Sequence, residues 1–199
     1  HGQIRRQRQM CIRDRTTTPR TIPANKALAF NNNIEYSVLE INSLANFEEK
    51  KIVVAKNLIN SIVKDCEIKN YKELKSFKGS DFKGVICKHP FANMKFDYDV
   101  PMLDAQFVNL EQGTGVVHCA PSHGPDDFNL CLKNNIPSLY TVDSSGLYTN
   151  EIPYFQNTHI FKADKIVIEK LKEQNAEQRR VREWRSANNY NVGTGNPII

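Results

Sequence analysis

From Phe82 onward the chain is cut into short pieces, each closed by turn residues, and this spacing constrains the fold more than any other feature. FKGVICKHPF (82–91), MKFDYDVPML (94–103), AQFVNL (105–110) and GTGVVHCA (113–120) follow one another closely, and SLYTVDSSGLYT (138–149) comes after the Asp126-Asp127-Phe128 helix. Strand-like pieces at intervals of roughly ten residues, with Gly, Pro and Asp-Ser punctuation, fit a curled mixed β-structure better than a parallel sheet. The expected class is α+β, with a β-barrel-like body and peripheral helices.

The first half reads in the same terms. TTTPRTIPANKALAF has β-branched residues, two prolines that forbid a helix interior, and then an apolar run. IEYSVLEI (34–41) reads as a strand, and Asn31-Asn32-Asn33 before it as a turn, which together predict a hairpin. From Ser43, a plausible N-cap, the pattern turns helical, with Leu44, Phe47, Ile52, Leu58, Ile59, Ile62 and Val63 at steps of about three to four. Pro125-Asp126-Asp127 reads as a helix start, with Pro in the first turn and carboxylates at the positive end of the dipole. Residues 162–175 read as a second amphipathic helix, and no internal repeat is visible.

Composition excludes some classes. In 199 residues, 40% apolar and 25% charged, no apolar run approaches the roughly 18 residues a membrane helix needs. The Arg-rich start has no following apolar segment, so a secretory signal is not expected, and the cysteine pattern gives a reducing cytoplasm as the expected location. Cys11, Cys66, Cys87, Cys119 and Cys131 are odd in number, widely spaced and without a CxxC pair, so they read as inert thiols. The net charge of +5 is uneven: residues 1–20 hold six arginines and one acid, residues 176–199 four arginines and two acids. Removing both from 27 bases and 22 acids leaves 17 against 19 in the body, where every base is lysine. The expected organisation is a basic lead (1–15), non-native or disordered, a domain (16–175) and a divergent basic tail (176–199). Basic arms can bind nucleic acid, but flanks of a different coding origin explain the segregation as simply.

GTGVVHCAPSHGPDDF (113–128) concentrates two histidines, two aspartates and a cysteine. His118 and His123 lack the HExxH spacing that puts two zinc ligands on one helix face, so no metal is expected. His118 and Cys119 are neighbours on an apparent strand and point to opposite faces, so they do not make a nucleophile and its base. Gly113 and Gly115 lack the frame of a phosphate loop and read as a tight turn, or a close approach of backbone to ligand. What remains is a polar corner in which a carboxylate can hold a cation while an imidazole meets a hydroxyl or ring. The plainer reading makes Asp126 a helix cap and His123 a turn residue.

This stretch resembles the second half of the editing site of isoleucyl-tRNA synthetases, GTGxVHxAPxHGxDD followed by an aromatic. TTTPRTIPAN resembles the first half, TTTPWT(L/I)PAN, and KGSDFKGVICKHPF, DYDVPML and YTVDSSGLYT also resemble that domain. The likeness spans roughly residues 16–175. It implies hydrolysis of valine wrongly esterified to isoleucine tRNA, by a positioned water, with no covalent nucleophile and no cofactor. It also implies that Asp127 holds the substrate ammonium and that His118 is the pocket wall that limits the side chain and orients the ester. Thr16, Thr17 and Thr18 would line the pocket as a threonine-rich strand, Thr18 among the catalytic groups with Asp127 and His118. Thr21 and Asn25 would follow, Asn25 at the tRNA end, and Asp126 and His123 would join the binding set. The implied partners are the acceptor end of tRNA(Ile) carrying valine and the rest of a synthetase.

Three departures stand out. Arg20 occupies the family's tryptophan position, replacing an aromatic wall by a charge. QMCIRDR stands where the family has an apolar strand, which would leave a barrel edge unpaired. The adenylation signatures HIGH and KMSKS are absent, so a fragment without an aminoacylation site is expected. The alternative is a nucleic-acid-binding module with basic arms and no hydrolytic activity.

Overall fold

The computed structural model describes residues 11–12, 18–42, 50–111 and 113–177. Its strands are β1 (Cys11–Ile12), β2 (Ala27–Phe30), β3 (Glu35–Asn42), β4 (Lys50–Ala55), β5 (Asn70–Lys78), β6 (Ile86–Lys88), β7 (Asp99–Asp104) and β8 (Val117–Cys119). Its α-helices are α1 (Ile59–Asp65), α2 (Pro125–Lys133) and α3 (Ile160–Glu177). The strands form two four-stranded sheets, in the orders β1-β4-β3-β5 and β6-β7-β2-β8. Each sheet is mixed, with one parallel pair, β1–β4 in the first and β2–β7 in the second. The α+β class is as expected, but no closed barrel is present among the described residues.

Four local expectations are corrected. The helix from Ser43 is not there over residues 50–55, which form β4; among the described residues a 3-10 turn at Lys56–Leu58 follows, and then α1 from Ile59. Ile52, Val53, Val54 and Ala55 are all buried, so β4 has an apolar residue on both faces and its side-chain alternation is hidden. Ser43, Leu44 and Phe47 lie outside the described residues. The turn at Asn31–Asn33 exists, but β2 and β3 do not pair as a hairpin; each enters a different sheet. Asn31 sets this exit: its Oδ1 accepts from the Asn33 N–H at 2.9 Å, and its own N–H donates to the Tyr36 hydroxyl at 3.2 Å. Residues 105–110 are not a strand; after the Ala105 N–H meets the Phe30 carbonyl at 2.7 Å, the chain turns and buries Val108. Lastly, the edge expected to be unpaired carries β1, which pairs with β4 through Cys11–Ile52 and Ile12–Val53.

The first sheet packs an aliphatic core, with Phe30, Tyr36, Phe77 and Phe82 as its aromatic centre. A second core lies between a 3-10 turn at Pro19–Ala24, the Phe91–Phe96 segment and α3. Gly115 joins the two halves. It has φ +78°, and a Cβ there would lie 2.5 Å from that of Ala55, so only glycine fits. The Tyr36 hydroxyl donates to the Gly115 carbonyl at 2.7 Å and fixes the GTG turn against β3.

Candidate active site

The site is built where the Pro19–Ala24 turn, β8 and the start of α2 converge. Pro19 presets the turn and Pro23 leaves no N–H to continue it, which explains a short 3-10 piece in place of an α-helix. Thr18 is the residue before the turn and Thr21 lies within it. Thr16 and Thr17 lie outside the described residues.

Thr21 brings the two sequence motifs together. Its Oγ1 donates to the Thr18 carbonyl at 2.9 Å and lies 3.0 Å from Nε2 of His118, 97 positions away. A hydroxyl has one proton, so with that proton given to Thr18, His118 carries its hydrogen on Nε2 and donates to Thr21. Burial, and secondarily the His123 ring, push His118 down to about 4, so it is neutral at physiological pH.

Asp127 lies in the first turn of α2, where the sequence predicts the helix start. Its Oδ2 accepts the Ala120 N–H at 2.9 Å, tying α2 to the end of β8. Burial pushes the Asp127 carboxyl up, while the Ala120 N–H favours the charged form and the Asp126 carboxylate opposes it. One carboxylate oxygen is thus held by the backbone, and a bound ammonium would meet the other.

Other candidates sit differently. Asp126 is exposed and makes no side-chain cap; the residue preceding α2 is Gly124. His123 packs toward the loop before β-bridge residue Val142, with Nε2 3.3 Å from the Thr141 hydroxyl. Burial and the nearby Arg20 charge lower the His123 pKa. Asn25 is 4% exposed, its carbonyl accepts the Tyr98 hydroxyl at 2.8 Å, and its Oδ1 has no hydrogen-bond partner among the described residues.

Arg20 does not stand as an uncompensated charge in the pocket. Its backbone N–H and Nη1 donate to the two oxygens of Asp164 on α3, at 2.8 and 2.7 Å. The Tyr148 hydroxyl donates to the Arg20 carbonyl. The charge that replaces the family's tryptophan has therefore become a clamp between the site turn and α3.

His89 is the residue that sequence reasoning missed. It is 2% exposed and stacks on Phe96 at 4.8 Å. The Phe91 N–H donates to its Nδ1 at 3.1 Å, which leaves the ring hydrogen on Nε2 to donate to the Ile22 carbonyl at 3.0 Å. Burial drives His89 down to about 3, against the Ile22 hydrogen bond. This neutral imidazole props the turn that carries Thr21 and Asn25. Its only sequence signal was the KHPF piece. The thiols stay protonated where their state is resolved, since burial raises Cys87 and Cys131 to about 11. Among the described residues no three His, Cys, Asp or Glu side chains gather as metal ligands, and no helix is long and apolar enough to cross a membrane.

Comparison with known proteins gives this geometry its context. The family model described as the leucyl-tRNA synthetase editing domain matches residues 33–184. The isoleucine–tRNA ligase of Pelagibacter ubique is 64% identical over 159 residues, 80% of this chain and 18% of that protein. That of Gluconobacter oxydans is 39% identical over 163 residues, 79% of this chain and 17% of that protein. The chain therefore spans under a fifth of the length of these curated relatives. Among solved structures, that of GlLeuRS-CP1 aligns with a TM-score of 0.64 at 13% identity, covering 83% of this chain and 81% of that one. The Plasmodium falciparum cytosolic leucyl-tRNA synthetase editing domain aligns with a TM-score of 0.50 at 17% identity, over 65% and 49%. At such identities these structures speak to the fold alone. The family match, the isoleucine–tRNA ligase relatives and the shared fold agree, and the chain belongs to the aminoacyl-tRNA synthetase editing-domain family.

Proposed function

We propose that this domain removes valine wrongly esterified to tRNA(Ile), as the hydrolytic site of an isoleucine–tRNA ligase. The observation that carries this reading is the meeting of Thr21 with His118 at 3.0 Å, together with a carboxylate, Asp127, held by the Ala120 N–H at the end of the strand that carries His118. Asp127 receives the α-ammonium, and the neutral His118 walls the side-chain pocket without a charge that an apolar side chain would have to bury. Thr18 and Thr21 orient the ester, Asn25 offers its amide oxygen to a hydroxyl of the tRNA end, and His123 and Asp126 lie at the rim. A water placed by these groups attacks the ester carbonyl, the acyl C–O bond breaks, valine leaves with the water's oxygen, and the ribose oxygen takes the proton as a free hydroxyl; orientation and electrostatics lower the barrier. Such a second site answers a physical limit: one methylene gives only about 1–3 kcal/mol of discrimination. Isoleucine against valine is the general illustration of that limit and not a quantity obtained from this chain.

A barrel-like body goes with this reading. Its support is the backbone contact between sheets, where the Ala55 N–H at the end of β4 donates to the Thr114 carbonyl at 2.7 Å, just before β8. The rest of a synthetase and the charged tRNA are the expected partners, in the cytoplasm. The test is release of valine from valyl-tRNA(Ile) by the purified chain, beside isoleucyl-tRNA(Ile). Selective valine release supports the proposal; salt-sensitive tRNA binding without hydrolysis by folded protein favours a binding module instead.

A further inference from the structure

Lys26 follows Asn25 directly, and the site as described makes no use of it. Its N–H donates to the Cys119 carbonyl at 2.9 Å, which continues the β2–β8 ladder by one residue. In that ladder Leu28 lies opposite His118. Strand alternation then puts Lys26 on the face of the sheet shared by Leu28 and His118. The Lys26 ammonium sits 3.8 Å from the centre of the Tyr98 ring, and Tyr98 in turn holds the Asn25 carbonyl.

This cation is half-buried, and among the described residues it forms no ion pair. Burial lowers its pKa, and the Glu151 carboxylate, acting from beyond ion-pairing distance, only opposes that shift. An unpaired, partly desolvated ammonium favours an anion, and a ring face beneath it limits the directions from which the anion arrives.

We infer that Lys26, seated on Tyr98 beside Asn25, is a subsite for a phosphodiester of the RNA end whose ester the site hydrolyses. The inference rests on the reading given under Proposed function and adds to it the group that holds the phosphate. Tyr98 positions the ammonium. Lysine serves as a point charge here, so arginine is expected to replace it in part and glutamine is not.

The test compares Lys26→Gln and Lys26→Arg with the unaltered chain on valyl-tRNA(Ile) and on a valyl ester of adenosine, which has no phosphate. For valyl-tRNA, Lys26→Gln is expected to raise KM about tenfold, with the greater part of the loss in KM and not kcat. The slope of log KM against log salt should shrink by about 0.7, the contribution of one phosphate contact in a single strand. Lys26→Arg should recover most of the loss, and the phosphate-free ester should be affected far less. An unchanged salt slope, or equal losses on the two esters, overturns the subsite. If the unaltered chain hydrolyses neither ester, the hydrolytic reading fails separately. Binding of a labelled RNA trinucleotide ending in CCA then decides the subsite, which stands if Lys26→Gln weakens binding and the salt slope, and falls if neither moves.

Discussion

Two regions of this molecule bury comparable side chains to different ends. Under the first sheet, Leu39, Ile52, Val53 and Val54 pack as hydrocarbon, and the only polar group in the aromatic centre, the Tyr36 hydroxyl, is satisfied by Asn31 and Gly115. Around the Pro19–Ala24 turn, Phe91, Phe96 and Tyr98 enclose an imidazole, and a second imidazole lies on β8 behind Thr21. The first arrangement stabilises through area removed from water. The second holds groups in chosen protonation states, and the fold loses stability when those states change.

Breaking the first region costs the most. Leu39→Ala should lower unfolding stability by about 3 kcal/mol in urea titration, by lost transfer energy and a cavity. The selectivity of whatever protein remains folded should stay unchanged.

The polar region responds next, and to pH. Both His89 and His118 have an ordinary value of 6.5 and are held neutral in the fold. The unfolded chain therefore takes up more protons as pH falls, and this part of the stability is intact above about 6.5. It is lost toward about 4 for His118 and about 3 for His89. By pH 5 each imidazole should cost on the order of 2 kcal/mol, seen as a falling urea midpoint. His89→Gln should flatten that fall by one imidazole, which Leu39→Ala should not do.

Asp127→Asn sharpens the contrast from the other side. On the proposed role of Asp127 as holder of the ammonium, this should reduce valine release about 10- to 100-fold, the range of one charge-assisted hydrogen bond. Its stability should shift by less than about 1 kcal/mol. Because burial raises the Asp127 carboxyl, the acid limb of kcat/KM should lie above the ordinary aspartate value. The smallest expected effect is Asp164→Ala. It removes a pair with both side chains 34% exposed, so about 1 kcal/mol or less is at stake after solvent screening.

The same division explains what was legible in the sequence. The helix start at Pro125 was readable because Pro in the first turn and two acids act locally. β3 was readable because its burial and turn signals are also local. β4 was misread because a central strand buried on both faces loses the alternation that marks strands, leaving spacing that passes for a helix. The Asn31–Asn33 turn was readable, but turn chemistry does not say which strand is the partner. In the site, the linear motifs pointed to Thr21, His118 and Asp127. His89 and Asp164 were hidden because they act across 67 and 144 positions, where only packing brings the chain together. Arg20 was expected as a disturbance for the same reason: its partner, Asp164, lies on α3.

The most direct measurement is the rate of valine release against isoleucine release from tRNA(Ile), for the unaltered chain and for His118→Ala. If the neutral imidazole is the wall that limits the pocket, the unaltered chain releases valine selectively and His118→Ala narrows that preference, because the enlarged pocket admits isoleucine. A His118→Ala protein that is folded, active and as selective as the original would contradict it, and would place the specificity elsewhere in the molecule.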